Sequence, residues 1–146
     1  MSKWTLLGLA VSGGVCFALQ PPINAALGRS VGVLESALVS FVIGAAVLAA
    51  ATFAAGSGSL GAVVNVPLWQ LVGGFIGAYF VTVALYCAPR IGMTTLMVSI
   101  VAGQLAGALA LDHFGLLGLR TRPVGPAQAA AALLIVAAVW LVQSRG

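Results

Sequence analysis

The sequence predicts an all-α membrane protein, a five-transmembrane-helix bundle, on three observations. Of 146 residues, 62% are hydrophobic and only 5% charged, whereas a soluble domain is about half apolar and about a quarter charged. Six basic and two acidic side chains cannot cover a soluble surface, and the mean hydropathy of +1.17 makes the lipid bilayer the solvent for most of the chain. Apolar runs of about 20 residues, the length that crosses a bilayer core of about 30 Å at 1.5 Å per residue, recur five times. β-Barrel strands would instead alternate over segments of about 10 residues.

The first span runs from Trp4 to about Leu27 (residues 4–27) and carries Gln20, Pro21, Pro22 and Asn24 in its second half. It is too long for the apolar core of a signal peptide and lacks a small-residue cleavage pattern, so it reads as a retained helix. The second covers 33–55, with Gly32 and Glu35 placed as an N-cap and an acid in the first turn. The third covers 68–88, the fourth 91–111 and the fifth 125–142. Pro67, Pro123 and Pro126 stand where first turns begin. The connections read as Gly28 to Gly32, Gly56 to Pro67, Pro89 with Arg90, and Asp112 to Val124. They leave no room for a soluble domain, so residues 1–146 read as a single transmembrane domain.

Charge and cysteine usage exclude several function classes. Lys3, Arg29, Arg90, Arg120, Arg122 and Arg145 are scattered between apolar runs, which does not make the clustered basic stripe that nucleic acid requires. Cys16 and Cys87 lie inside apolar runs, where they read as small buried hydrophobes and not as a disulfide or metal pair. One histidine and two carboxylates provide no metal-ligand set and no acid/base pair, so the chain reads as no enzyme and as needing no cofactor.

With five spans, Lys3, Arg120 and Arg122 fall on one side of the membrane and Arg29, Arg90 and Arg145 on the other. Orientation follows the excess of Lys and Arg in cytoplasmic loops, and here there is none. Insertion in both orientations, and an antiparallel dimer of two copies, is one reading. The other is that Lys3 and the N-terminal amine decide the orientation of the first helix.

Polar residues at membrane depth are the functional signal, because an unpaired polar group in hydrocarbon costs several kcal/mol and needs a partner or a wet cavity. The tandem Pro21 and Pro22 cannot donate to the carbonyls of Phe17 and Ala18, so a kink or break is expected there. Gln20 and Asn24 would then share a face beside the freed carbonyls, either as a substrate site or, if the prolines simply end the helix, at the headgroups. Gln104 is a ligand contact or a structural interhelical bond. Tyr79 is deep enough to be a site candidate, while Tyr86 suits an aromatic belt. Trp4, Trp69 and Trp140 lie near span ends as interfacial anchors, with Trp69 also a candidate stacking surface. Glu35 is either a cap at the positive end of the second helix or the acid that exchanges a proton for a cation. Asp112 and His113 read as interfacial polar residues, with Arg120 or Arg122 as possible partners for Asp112. Gly73 with Gly77, and Gly103 with Gly107, form GxxxG faces for close helix packing, and Ala10 with Gly14 an analogue.

The stretch Leu19-Gln20-Pro21-Pro22-Ile23-Asn24 with Leu27-Gly28, then Ser40-Phe41 with Gly44, Trp69 with Gly73-Gly74 and Gly77, Gly103-Gln104-Leu105, and Leu111 through Gly118 together resemble the YdcZ family of bacterial inner-membrane proteins in the drug/metabolite transporter superfamily. The resemblance covers nearly the whole chain. It implies inner-membrane exporters of about this size that work as antiparallel dimers and are encoded singly, in adjacent pairs or as fused halves. Related small multidrug exporters couple to protons through a glutamate in their first helix; here Gln20 and Asn24 occupy that helix, and Glu35 is the one intramembrane acid left to replace it.

The expected function is a multi-pass inner-membrane subunit that moves an unidentified small solute by alternating access. Its partners would be the bilayer and a second copy or homologous subunit, and its site would lie at the broken part of the first span, facing Gln104 and Tyr79. A passive channel and a structural or assembly subunit are the alternatives.

Overall fold

Among the described residues, 2–144 of a computed structural model, five helices long and apolar enough to cross a membrane occupy the five predicted runs, and no strand is present. Arg145, counted above with Arg29 and Arg90, lies outside the described residues. The chain divides into two units, Met1–Arg90 and Ile91–Gly146.

In the first unit, α1 (Lys3–Val31) starts at Ser2, whose hydroxyl accepts the Thr5 amide at 3.1 Å and so satisfies one of the free donors of the first turn. Its 29 residues make a rod of about 43 Å at 1.5 Å per residue, longer than the hydrocarbon core. Two expectations are corrected here. The helix does not break at Pro21 and Pro22, which both lie inside it, as transmembrane helices tolerate when neighbours take up the freed backbone groups. Nor does it stop before Gly28: the Gly-Arg-Ser composition looks like a loop, yet the helix runs on to Val31 with Arg29 in its last turn.

The whole connection to α2 (Val33–Ala55) is therefore Gly32, at φ 103° and ψ 156°. That backbone region belongs almost exclusively to glycine, and it turns the chain back within one residue. Glu35 sits in the first turn of α2 with its carboxylate folded over Gly32, the position in which an acid complements the helix dipole. No side-chain hydrogen bond caps this helix.

After α2, two short 3-10 turns, Leu60–Asn65 and Leu68–Leu71, lead into α3 (Val72–Ile91). Pro89 and Arg90, expected in a loop, are the last turn of α3, and Gly92, at φ 77° and ψ 156°, follows as another single-residue connection in the same glycine conformation. The core of the unit is Ala37, Val81 and Leu85, with Val33 and Phe80 packed against it. Phe17 of α1 stacks on Phe80 at 5.0 Å.

In the second unit, α4 (Met93–Phe114) and α5 (Pro126–Gln143) pack together. Gly115 caps α4 in the left-handed conformation, its amide donating to the Leu111 carbonyl, the usual way to end a helix on glycine. The loop folds back, with the Arg122 amide donating to the Asp112 carbonyl at 2.7 Å and the Val124 amide to His113 Nδ1 at 3.3 Å. Pro126 opens α5, where its missing N–H costs nothing, and the Gln128 side chain accepts the Gly125 amide at 3.2 Å. Pro123, expected in a first turn, lies before the helix, outside any helix or strand.

Candidate functional site: a polar seam between the first two helices

The tight turn at Gly32 fixes the register of the α1–α2 hairpin. Residues equally far from Gly32 on its two sides face one another: a Cβ at Gly28 would meet the Ser36 Cβ at 3.7 Å, the Asn24 carboxamide donates to Ser40 Oγ at 3.1 Å, and Gln20 and Gly44 line the same hollow. Spacing by four keeps Gln20, Asn24 and Gly28 on one stripe of α1, and Ser36, Ser40 and Gly44 on one stripe of α2. Small residues on α2 let the backbones approach, and hydroxyls bond across the gap.

The seam is buried near the turn and opens away from it. Ser36 is fully buried and donates to the Asn24 carbonyl at 2.7 Å; Asn24 is also buried, held through both its backbone and its amide. One turn further from Gly32, half-buried Gln20 has no hydrogen-bond partner among the described residues. It lines two hollows. A narrow one, about 10 Å³, lies against Pro21, Asn24, Phe80 and Leu85; a wider one, about 280 Å³, lies against Ser40, Phe41 and Gly44. Pro21 and Pro22 have no N–H to give the carbonyls of Phe17 and Ala18 one turn back, so acceptors without their helical donors stand beside an amide that can donate or accept.

The structure does not gather all the candidates here. Tyr79 and Trp69 are 67% and 56% exposed, and neither lines these hollows; the neighbouring Phe80 does. Gln104 is exposed on α4, in the second unit. Of the packing glycines, Gly77 stands against the Phe41 ring, whose Cζ would be 3.5 Å from an added Cβ, whereas Gly73, Gly103 and Gly107 have open space around them. Asp112 shares a hollow of about 340 Å³ with Arg120 and Arg122, joined to the latter by the backbone bond. His113 is the acceptor that holds the loop and meets Phe114 edge-on at 4.9 Å. Cys16, expected to be buried, is exposed, and Cys87 is half-buried. Among the described residues, no three His, Cys, Asp or Glu side chains gather as a metal site.

Sequence reasoning singled out Gln20 and Asn24 but missed Ser36 and Ser40 as the partners of Asn24. The signal was present as Ser36-xxx-Ser40-xxx-Gly44, a small-residue stripe whose meaning depends on the hairpin register.

A family model described as "Putative inner membrane exporter, YdcZ" matches residues 5–141. The chain is 28% identical to the inner membrane protein YdcZ of Escherichia coli (strain K12) over 151 residues, 99% of each chain. No solved structure matches.

Proposed function

This chain belongs to the YdcZ family of inner-membrane proteins, and from that premise we propose that it is a transporter subunit that exports a small solute by alternating access, as an antiparallel dimer with the α1–α2 seam lining its path. The family description points to transport and not to catalysis. The observation that carries the reading is Gln20: a half-buried carboxamide at membrane depth, with no partner among the described residues, facing hollows toward both α2 and α3. Keeping such a group unpaired costs free energy, which a passing solute or water repays. The seam is neutral, so it suits a solute bound through hydrogen bonds and aromatic contact with Phe80 and Phe41. Glu35, at the turn, is the coupling candidate.

Dimerisation is supported by the even split of basic residues between the two sides and by the open glycine stripe of α4. Reporters fused after Gly146, one active only in the cytoplasm and one only outside it, test the orientation. Activity from both is expected; activity from one alone removes the two-way homodimer.

Transport itself is tested by uptake and counterflow of a panel of small amphipathic solutes in vesicles carrying the purified protein. Saturable flux is expected, reduced about tenfold or more, equivalent to about 1.4 kcal/mol or more, by Gln20→Ala in a variant that remains folded. A non-saturating ion current would replace the transporter with a channel. No flux, together with stable capture of another membrane protein, would favour an assembly subunit.

A further inference from the structure

Arg29 and Arg90 end two different helices yet line one cleft of about 130 Å³, floored by Val33 and Leu85 and kept open by Gly28. We propose that this cleft binds a phosphate group at the membrane interface, clamped between the two guanidinium groups.

The placement follows from the chain path. Each arginine lies in the last turn of its helix, just before a glycine of positive φ, Gly32 or Gly92. α1 and α3 each cross the membrane and are separated by one further crossing, so their C-terminal ends reach the same face. α1 is longer than the hydrocarbon core, which carries Arg29 to headgroup level. Basic clefts between transmembrane helices at this depth have the chemistry to hold lipid phosphates.

Arg90 is already held in place. Its guanidinium lies 3.6 Å over the Tyr86 ring and donates through one nitrogen to the Tyr86 carbonyl. Guanidinium has five N–H donors in a planar fork, so donors remain for a ligand while the contacts with Tyr86 already orient the side chain. Arg29 makes no side-chain hydrogen bond among the described residues. Phosphate is the anion whose geometry matches two such forks.

The local charge permits it. Two full positive charges face about half a negative charge at each of the two helix C-termini, while the N-terminus of α2 adds about half a positive charge. Glu35, folded over Gly32 at that N-terminus, subtracts one, and the sum stays positive. Glu35 is not among the residues lining the cleft, so it weakens the site without blocking it. The apolar floor gives the glycerol and upper acyl carbons of a lipid a surface that free phosphate would not use.

The test is saturable thermal stabilisation of the full chain in uncharged detergent, titrated with short-chain phosphatidylglycerol or with inorganic phosphate at matched ionic strength. Arg29→Gln and Arg90→Gln are each expected to weaken the apparent affinity about tenfold or more. Glu35→Gln is expected to tighten it, and Arg120→Gln with Arg122→Gln to leave it unchanged. Much tighter binding of phosphatidylglycerol than of phosphate identifies a lipid headgroup; equal affinity identifies the phosphate group alone. The proposal is overturned if neither probe stabilises the protein saturably, or if the Arg29 and Arg90 variants bind as well as the parent. Should the glutamine variants fail to fold, Arg29→Lys and Arg90→Lys keep the charge and lose the fork: weaker binding supports the clamp, and unchanged affinity rejects it.

Discussion

Asn24 and Ser40 stand equally far from Gly32, one on each helix of the hairpin, and the Asn24 carboxamide donates to the Ser40 hydroxyl at 3.1 Å. One turn nearer the bend, Ser36 donates to the Asn24 backbone carbonyl, so Asn24 is tied to α2 twice. Interhelical hydrogen bonds of this kind couple by about 0.6 kcal/mol on average within membranes, with a maximum of about 1.7. A double-mutant cycle of Asn24→Ala and Ser40→Ala, read by thermal unfolding in detergent, should therefore give a coupling of about 0.5–1.5 kcal/mol. The same cycle between Gln20 and Ser36, one end of the seam and the other, should give a value near zero. Equal coupling in both cycles would mean that the seam acts as one unit and not through local bonds.

The two single-residue connections separate backbone strain from side-chain crowding. Gly92→Ala adds a Cβ into open space but at φ 77°, so its cost, about 1–3 kcal/mol, is the backbone conformation alone. Gly32→Ala carries the same backbone cost and also drives a Cβ into the Glu35 carboxylate. Adding Glu35→Ala should recover part of the loss at Gly32 and none at Gly92. Unfolding midpoints of the four variants decide this, and equal rescue at both glycines would show that crowding by Glu35 is not the cause.

Much of this arrangement is readable from sequence because the bilayer imposes it. The spans follow from run length, the start of α2 from Gly32 followed by a first-turn acid, and the start of α5 from Pro126. The rest depended on quantities that sequence does not carry. Gly28 and Arg29 look like loop chemistry, but the helix continues through them because its neighbours are close: a Cβ at Gly28 would meet both Ser36 and Leu85 within 4 Å. Tyr79 and Phe80 differ by one position, about 100° of rotation, and which of them faces α1 is set by the stack of Phe80 on Phe17. The partners of Asn24 emerge only once the register of the hairpin is fixed.

Pro21 and Pro22 offer a test of what a proline pair does inside an unbroken helix. Replacing both with alanine restores donors for the carbonyls of Phe17 and Ala18 and improves helix propensity. Thermal stability should stay equal or rise. Flux through the proposed path should fall, because those carbonyls would no longer be free beside Gln20. Loss of stability with unchanged flux would assign the prolines to packing alone, through the buried Pro21.

Gly28 contrasts with Gly103 and Gly107 in a way that bears on dimerisation. At Gly28 an added methyl would make ordinary contacts of 3.7 Å with Ser36 Cβ and 3.9 Å with Leu85 Cδ2, so Gly28→Ala should be neutral or stabilising by up to about 1 kcal/mol, the usual gain over glycine within a helix. Gly28→Leu should be destabilising by about 1–3 kcal/mol through overpacking. Gly103 and Gly107 have nothing within 4 Å, so within their own unit Gly103→Ile with Gly107→Ile meets no obstacle. If a second copy packs its helix there, as the proposed dimer requires, the same change forces the backbones apart. Light scattering in detergent should then show a loss of dimer while circular dichroism keeps the full helix signal. A dimer that survives both isoleucines would place the contact between copies on another face.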